Sequence, residues 1–347
     1  MRLTVAVLAG TLVLGLAQGR AVAAETSLGE IRQNLFGTCL AGPDTGWMVG
    51  ELGRIFRTND GGKTWNRQPA GTARPFLAIS CLDDKRAWIA GKEGIVYVTT
   101  DGGESWKELE TNSPRHVFAL EFVNDKRGHG AGDWGAMIHT EDGGRTWQAQ
   151  QVPTDVELPE IAYDMGVEPG DVNLYGMAYG DDSHAWIVGE FGVILASEDG
   201  GLTWKQQKAP IESTLFGVHF NDAQHGWAVG IDANIIHTED GGQTWQIIHP
   251  PLRQRSLYDV FVRGQHGWIV GDSGTVLKST DGGITWKTHE LPIQLAANWI
   301  RSVWLAEGGD GLAVGAEGLV FRVKGDDFER LVAPDRVRKK SAAGGGT

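Results

Sequence analysis

One phrase, written six times, limits what this chain can become. "TNDGGKTW" (58–65), "TTDGGESW" (99–106), "TEDGGRTW" (140–147), "SEDGGLTW" (197–204), "TEDGGQTW" (238–245) and "STDGGITW" (279–286) share one pattern, Ser/Thr-x-Asp-Gly-Gly-x-Ser/Thr-Trp. Successive tryptophans lie 41, 41, 57, 41 and 41 residues apart, and a degenerate seventh copy, "VKGDDFERL", puts Phe328 42 residues after Trp286. Ahead of each copy stands a second marker, from "GWMVG" at 46–50 through "GHGAG" at 128–132 to "GLAVG" at 311–315. Units of this length, each a few short strands and turns, cannot bury an apolar face alone and must pack on like neighbours. Fifty glycines and fourteen tryptophans fit one turn and one packing position used repeatedly.

Seven such units predict an all-β fold, a seven-bladed β-propeller of four-stranded antiparallel blades over 25–332, rather than separate domains. The innermost strand A is expected to carry an aromatic (Phe36, Phe76, Phe118, Tyr175, Phe216, Tyr258); strand B is the marker, strand C resembles "RIFRT", and strand D starts at the box tryptophan. In the C–D turn the carboxylates of Asp60, Asp101, Asp142, Asp199, Asp240 and Asp281 can accept backbone N–H groups, while glycine supplies positive φ. The indole can bury itself and keep one N–H for the backbone. These aspartates are read as structural, because one acid per blade around a rim does not converge on a substrate. His184, His225 and His266 share one repeat position, and the same geometry argues against a metal site. No metal, cofactor or catalytic residue is expected.

The first 24 residues combine Arg2, an apolar run from Leu3 to Leu16 and small residues around Ala21–Ala23, the layout of a secretory leader. An exported protein of the periplasm, or of a thylakoid lumen in a photosynthetic source, is therefore expected, with no later run long enough to span a bilayer. Cys39 and Cys81 occupy like places in successive repeats; a bridge and two buried thiols are both open. The formal charge of −13 becomes −15 without Arg2 and Arg20, which argues against nucleic acid. The basic, then Ala/Gly-rich stretch at 333–347 is expected to be disordered.

The repeats are similar to Asp-box (BNR) repeats. Seven of them in tandem behind a leader resemble the family of photosystem II assembly and stability factors, over roughly Leu35 to Phe328. The resemblance implies a non-enzymatic propeller that docks onto a membrane-protein subunit or an exported partner. The alternative is a glycan-binding or glycan-cleaving Asp-box protein of the sialidase kind. Such an enzyme needs an arginine cluster and a tyrosine nucleophile near a Glu; "GRIF" at 53–56 lacks the proline of the usual early segment.

Alternating strands put the B–C turns and the links between blades on one face, opposite the boxes. Each B–C turn holds an acid: Glu51, Glu93, Asp133, Glu190, Asp232, Asp272 and Glu317. They are either ordinary solvated turn residues or an acidic docking face. The long spacing between Trp147 and Trp204 places an insertion at 148–173, with six acids and the candidate contact residues Tyr163 and Met165, in the link between blades three and four. Only these two blades place an aromatic in the B–C turn, Trp134 and Phe191. The insertion either folds over them as a small satellite core or leaves an open partner site.

Overall fold

The computed structural model describes residues 25–26, 28 and 31–331; the leader at 1–24 and the tail at 333–347 lie outside the described residues. Seven antiparallel sheets follow one another around a ring, each with its strands in chain order from the axis outwards. The innermost strands run Leu35–Leu40, Phe76–Cys81, Val117–Phe122, Leu174–Tyr179, Leu215–Phe220, Leu257–Arg263 and Ile300–Leu305. Strand B is buried along its whole marker in blade after blade, as in Gly46–Gly50 and Ala185–Gly189, because sheets cover both its faces. Among the described residues no helix is long and apolar enough to cross a membrane.

Blade one gains a fifth strand: Glu25–Thr26 pairs with the outer strand, Glu25 opposite Asn66 and Thr26 opposite Trp65. The ring closes between blades seven and one through side chains. Leu312, Val314 and Val320 share an apolar cluster with Leu35, Met48 and Phe56. Arg322 Nη2 donates to Gly61 O at 2.8 Å, and Phe36 stacks on Trp299 at 5.8 Å. A disulfide joins Cys39 to Cys81, so the bridge is the alternative realised; it ties the inner strands of blades one and two.

Each box folds as its chemistry predicts. In blade one Asp60 Oδ1 accepts from Thr58 Oγ1 and Thr64 N–H, and Oδ2 accepts from Thr64 Oγ1 at 2.7 Å. Burial works against these carboxylates, yet the hydrogen bonds prevail and hold Asp199 and Asp281 at about 2. The indoles depart from expectation. Trp65 and Trp286 donate to a backbone oxygen, Gly62 O and Gly283 O. Trp106 and Trp245 instead donate to Gln68 and Gln207 of the preceding blade.

The boxes also latch neighbouring blades. Strand-B tryptophans donate to a box carbonyl one blade on: Trp88 to Gly143 O, Trp186 to Gly241 O, Trp227 to Gly283 O, at 3.0–3.2 Å. His129 takes the tryptophan's place in blade three and approaches Gly201 O at 3.1 Å. Blade seven has no box, and Trp268 Nε1 is left without a partner.

Every inner strand shifts register after its first residue. Such a bulge re-aims a side chain, here turning the second residue toward the axis: Phe36, Leu77, Phe118, Tyr175, Phe216, Tyr258 and Arg301. Phe76 therefore does not belong with the other strand-A aromatics. It pairs with Gly91 as Leu35 pairs with Gly50, and is fully buried between blades.

Candidate docking face

Five of the seven B–C turns are three-residue 3-10 turns, those of blades three and six are plain turns, and the second residue sits at positive φ in every blade: Leu52, Glu93, Trp134, Phe191, Asp232, Ser273 and Glu317, from 47° to 61°. Bulky residues adopt this region at a cost. Since all seven share it, the strain belongs to the turn and does not by itself mark a site. It does decide where side chains go. The second turn residue is exposed in every blade but the fourth, where the insertion covers part of Phe191, and the first is half-buried wherever it is an acid.

The seven turn acids accordingly divide into two sets. Glu51 accepts Asn34 N–H and Nδ2, at 3.1 and 2.9 Å, and Glu190 binds Asn173 in the same way. Asp272 accepts Ser256 N–H at 3.1 Å. Asp133 lies 4.0 Å from His116 Nδ1. These four first-position acids fasten or face the link that leads into their own blade. Glu93, Asp232 and Glu317 hold the second position and point to solvent.

The insertion folds as helix α1 (Glu160–Asp164) and a 3-10 turn, Pro169–Asp171. Val152, Val156, Leu158, Ala162 and Val172 join the core of blades three and four, with Phe191 partly covered against them. Gln206 clamps it by a pair of bonds to Glu157 N–H and O, at 2.7 and 2.8 Å. The satellite core forms over Phe191 only. Trp134 stays 56% exposed, with the Arg115 guanidinium 5.6 Å from its ring centre. Trp134 and Phe191 thus line separate clefts on opposite flanks of the insertion. Ile161, Tyr163 and Met165 stand exposed beyond both.

Among the described residues nine large apolar side chains are exposed. Six of them, Leu52, Trp134, Ile161, Tyr163, Met165 and Ile293, belong to the B–C turns or blade links. The box face holds only Leu202 and Ile284. The link residue Ile293 had no sequence signal, because it sits in no repeated motif.

The axial channel opens on the same face. Phe118, Tyr175, Phe216 and Tyr258 contact in succession at 5.2–5.6 Å around its mouth. Arg301 lies over Tyr258 and donates to Tyr258 O at 3.1 Å. Deeper in, burial pushes Glu121 up to about 7 and Asp259 up to about 6. Tyr175 Oη meets Glu190 Oε1 at 3.2 Å, the one tyrosine–glutamate pair at the mouth. Burial, then the Glu190 charge, push that phenol up to about 12. His184 and His225 bind Asp181 and Asp222 within their own turns, and His266 faces Asp326 at 3.5 Å; the three do not converge.

Fold and face together define a single-ring Asp-box propeller whose apolar side chains gather on the side away from the boxes. The chain belongs to the family described as "Photosynthesis system II assembly factor YCF48", which it matches over residues 24–155, 163–250 and 245–337. The break at 156–162 falls inside the insertion. Among solved structures it is similar to YCF48 bound to a D1 peptide, at 20% identity, covering 86% of this chain and 94% of that one, with a TM-score of 0.68. YCF48 from Cyanidioschyzon merolae shows 20% identity over 87% and 98% of the two chains, TM-score 0.68. Virginiamycin B lyase from Staphylococcus aureus shares the ring at 14% identity, 87% and 98% coverage, TM-score 0.68. No curated protein matches the chain.

Proposed function

We propose that this protein is an exported, non-catalytic docking factor that holds a subunit of a membrane protein complex during assembly, on the face away from the boxes. The observation that carries this is the gathering of six of the nine exposed apolar side chains on that face. Three of them, Ile161, Tyr163 and Met165, stand side by side on the insertion helix and its end, and exposed apolar groups clustered in this way favour a contact surface. Family membership supports the role, and the D1 peptide held by a related propeller supports a membrane-subunit peptide as the kind of ligand. The Cys39–Cys81 bridge supports an oxidising compartment.

The glycan-cleaving alternative finds less support. The Tyr175 phenol is pushed away from the ionised form a nucleophile requires, and Glu190 is committed to Asn173. Among the described residues Arg301 is the one arginine lining the channel, where a substrate carboxylate would call for a cluster. The test is affinity capture from detergent-solubilised membranes with the tagged protein and its Trp134→Ala/Phe191→Ala variant, followed by mass spectrometry. A membrane subunit retained by the wild type and depleted at least tenfold by the variant is expected. Equal capture by both, or hydrolysis of fluorogenic glycosides, would reject the proposal.

A further inference from the structure

The cleft on the blade-three flank of the insertion is walled by Trp134 and Arg115, by the stretch after strand D at Val152, and by the turn carrying Glu168 and Asp171. Backbone contacts fix its shape. Gly135 N–H donates to Val172 O at 2.8 Å, and a Cβ at Gly135 would come within 2.4 Å of Gly170 O. Trp134 N–H donates to Asn173 Oδ1 at 3.0 Å. The indole is thereby set at the lip of the cleft before any ligand arrives.

Building on the docking role, we infer that this cleft takes a short, extended, positively charged segment of the partner, with a Lys or Arg stem along the Trp134 indole and its charged end at Glu168 and Asp171. Three observations converge on a basic ligand. The insertion at 148–173 has six Asp and Glu and no Lys or Arg, so its wall is a block of negative potential. Glu168 and Asp171 each accept the other's backbone N–H as a capping box across the turn, but neither takes part in an ion pair among the described residues, so each keeps an uncompensated negative charge for an incoming cation. The lip offers an aromatic surface, and a cation on an alkyl stem gains from both an aromatic face and an acid at its tip. Arg115, the one cation of the lining, is stacked against the indole. An acidic segment would enter against the field of the whole insertion.

The experiment uses the full chain and two fluorescein-labelled peptides, Ala-Arg-Ala-Lys-Ala-Arg and Ala-Glu-Ala-Asp-Ala-Glu, read by fluorescence anisotropy at low salt. The basic peptide is expected to bind, to weaken as salt is added, and to lose at least tenfold in affinity with Trp134→Ala and with Glu168→Gln/Asp171→Asn. The acidic peptide is expected not to bind. Both variants lie at the surface and should melt with the wild type, which guards against misfolding. No binding of the basic peptide, equal binding of both, or basic binding unchanged by Trp134→Ala each overturn the inference; the last would mean diffuse acidity without a cleft. If the Trp134→Ala/Phe191→Ala variant loses membrane capture while the basic peptide never binds, the charge assignment falls and the docking role stands. If capture is unaffected by that variant, the docking role itself falls.

Discussion

Replacing Trp186 tests how the blades hold one another. Its ring is 1% exposed, stacks on Phe220 at 3.4 Å, and its Nε1–H crosses to Gly241 O of the next box. Trp186→Ala removes the whole ring from between two sheets that cannot collapse into the space, a change worth roughly 4–5 kcal/mol. At about 2.1 cal/mol/K per residue over roughly 300 ordered residues, unfolding entropy is near 0.6 kcal/mol/K, so Tm falls by about 7 °C. Trp186→Phe keeps the stack and loses the donor. Gly241 O retains Gln207 Nε2 at 2.8 Å, so this costs only about 1 kcal/mol, or roughly 2 °C. Trp134→Ala, at an exposed ring, should stay within about 0.5 kcal/mol of the wild type. Scanning calorimetry on the three variants decides. An alanine variant melting within 2 °C of the wild type would refute the packing of Trp186 as a blade contact, and a phenylalanine variant as costly as alanine would refute the division between stack and donor.

Two further outcomes follow from buried groups. Burial, and to a lesser extent the Asp259 charge, raises Glu121 from 4.5 to about 7, so folded protein holds a proton there that the unfolded chain releases; stability therefore falls as pH rises from about 4.5 to about 7. Glu121→Gln should remove the part of the slope between about pH 6 and 7, leave the part that Asp259 contributes below about pH 6, and add up to about 3 kcal/mol above pH 7, seen in urea titrations from pH 5 to 8; an unchanged slope rejects the assignment. The disulfide closes a 42-residue separation, for which chain entropy gives about 4 kcal/mol. Cys39→Ser/Cys81→Ser, or reductant on the wild type, should lower Tm by about 6 °C in a thermal-shift assay, and reductant should leave the double variant unchanged.

The blades were legible because their signal is local and repeated: a box closes on itself within eight residues, so Asp60 and Thr64 declare their contacts in sequence. The bridge was not, since two cysteines in like repeats meet only if adjacent inner strands face correctly. Phe76 misled by composition, because a one-residue bulge decides whether a strand-A aromatic looks at the channel or at the next blade. The turn acids misled likewise. Glu51 and Glu93 are one position apart in the same turn, and positive φ at the second position separates a fastening carboxylate from a free one. The insertion's core was undecidable from its acids; five scattered apolar residues, from Val152 to Val172, seat it.

Seven like blades would offer a visitor seven equivalent orientations. The stretch at 148–173 occurs in a single link, and under the proposed docking role it would work as the index mark on a dial, seating a cargo that reads it in one rotational setting only. Whatever lies across the rest of the face is then presented to the cargo at a fixed angle, which is what a jig must do when one piece has to be joined to another.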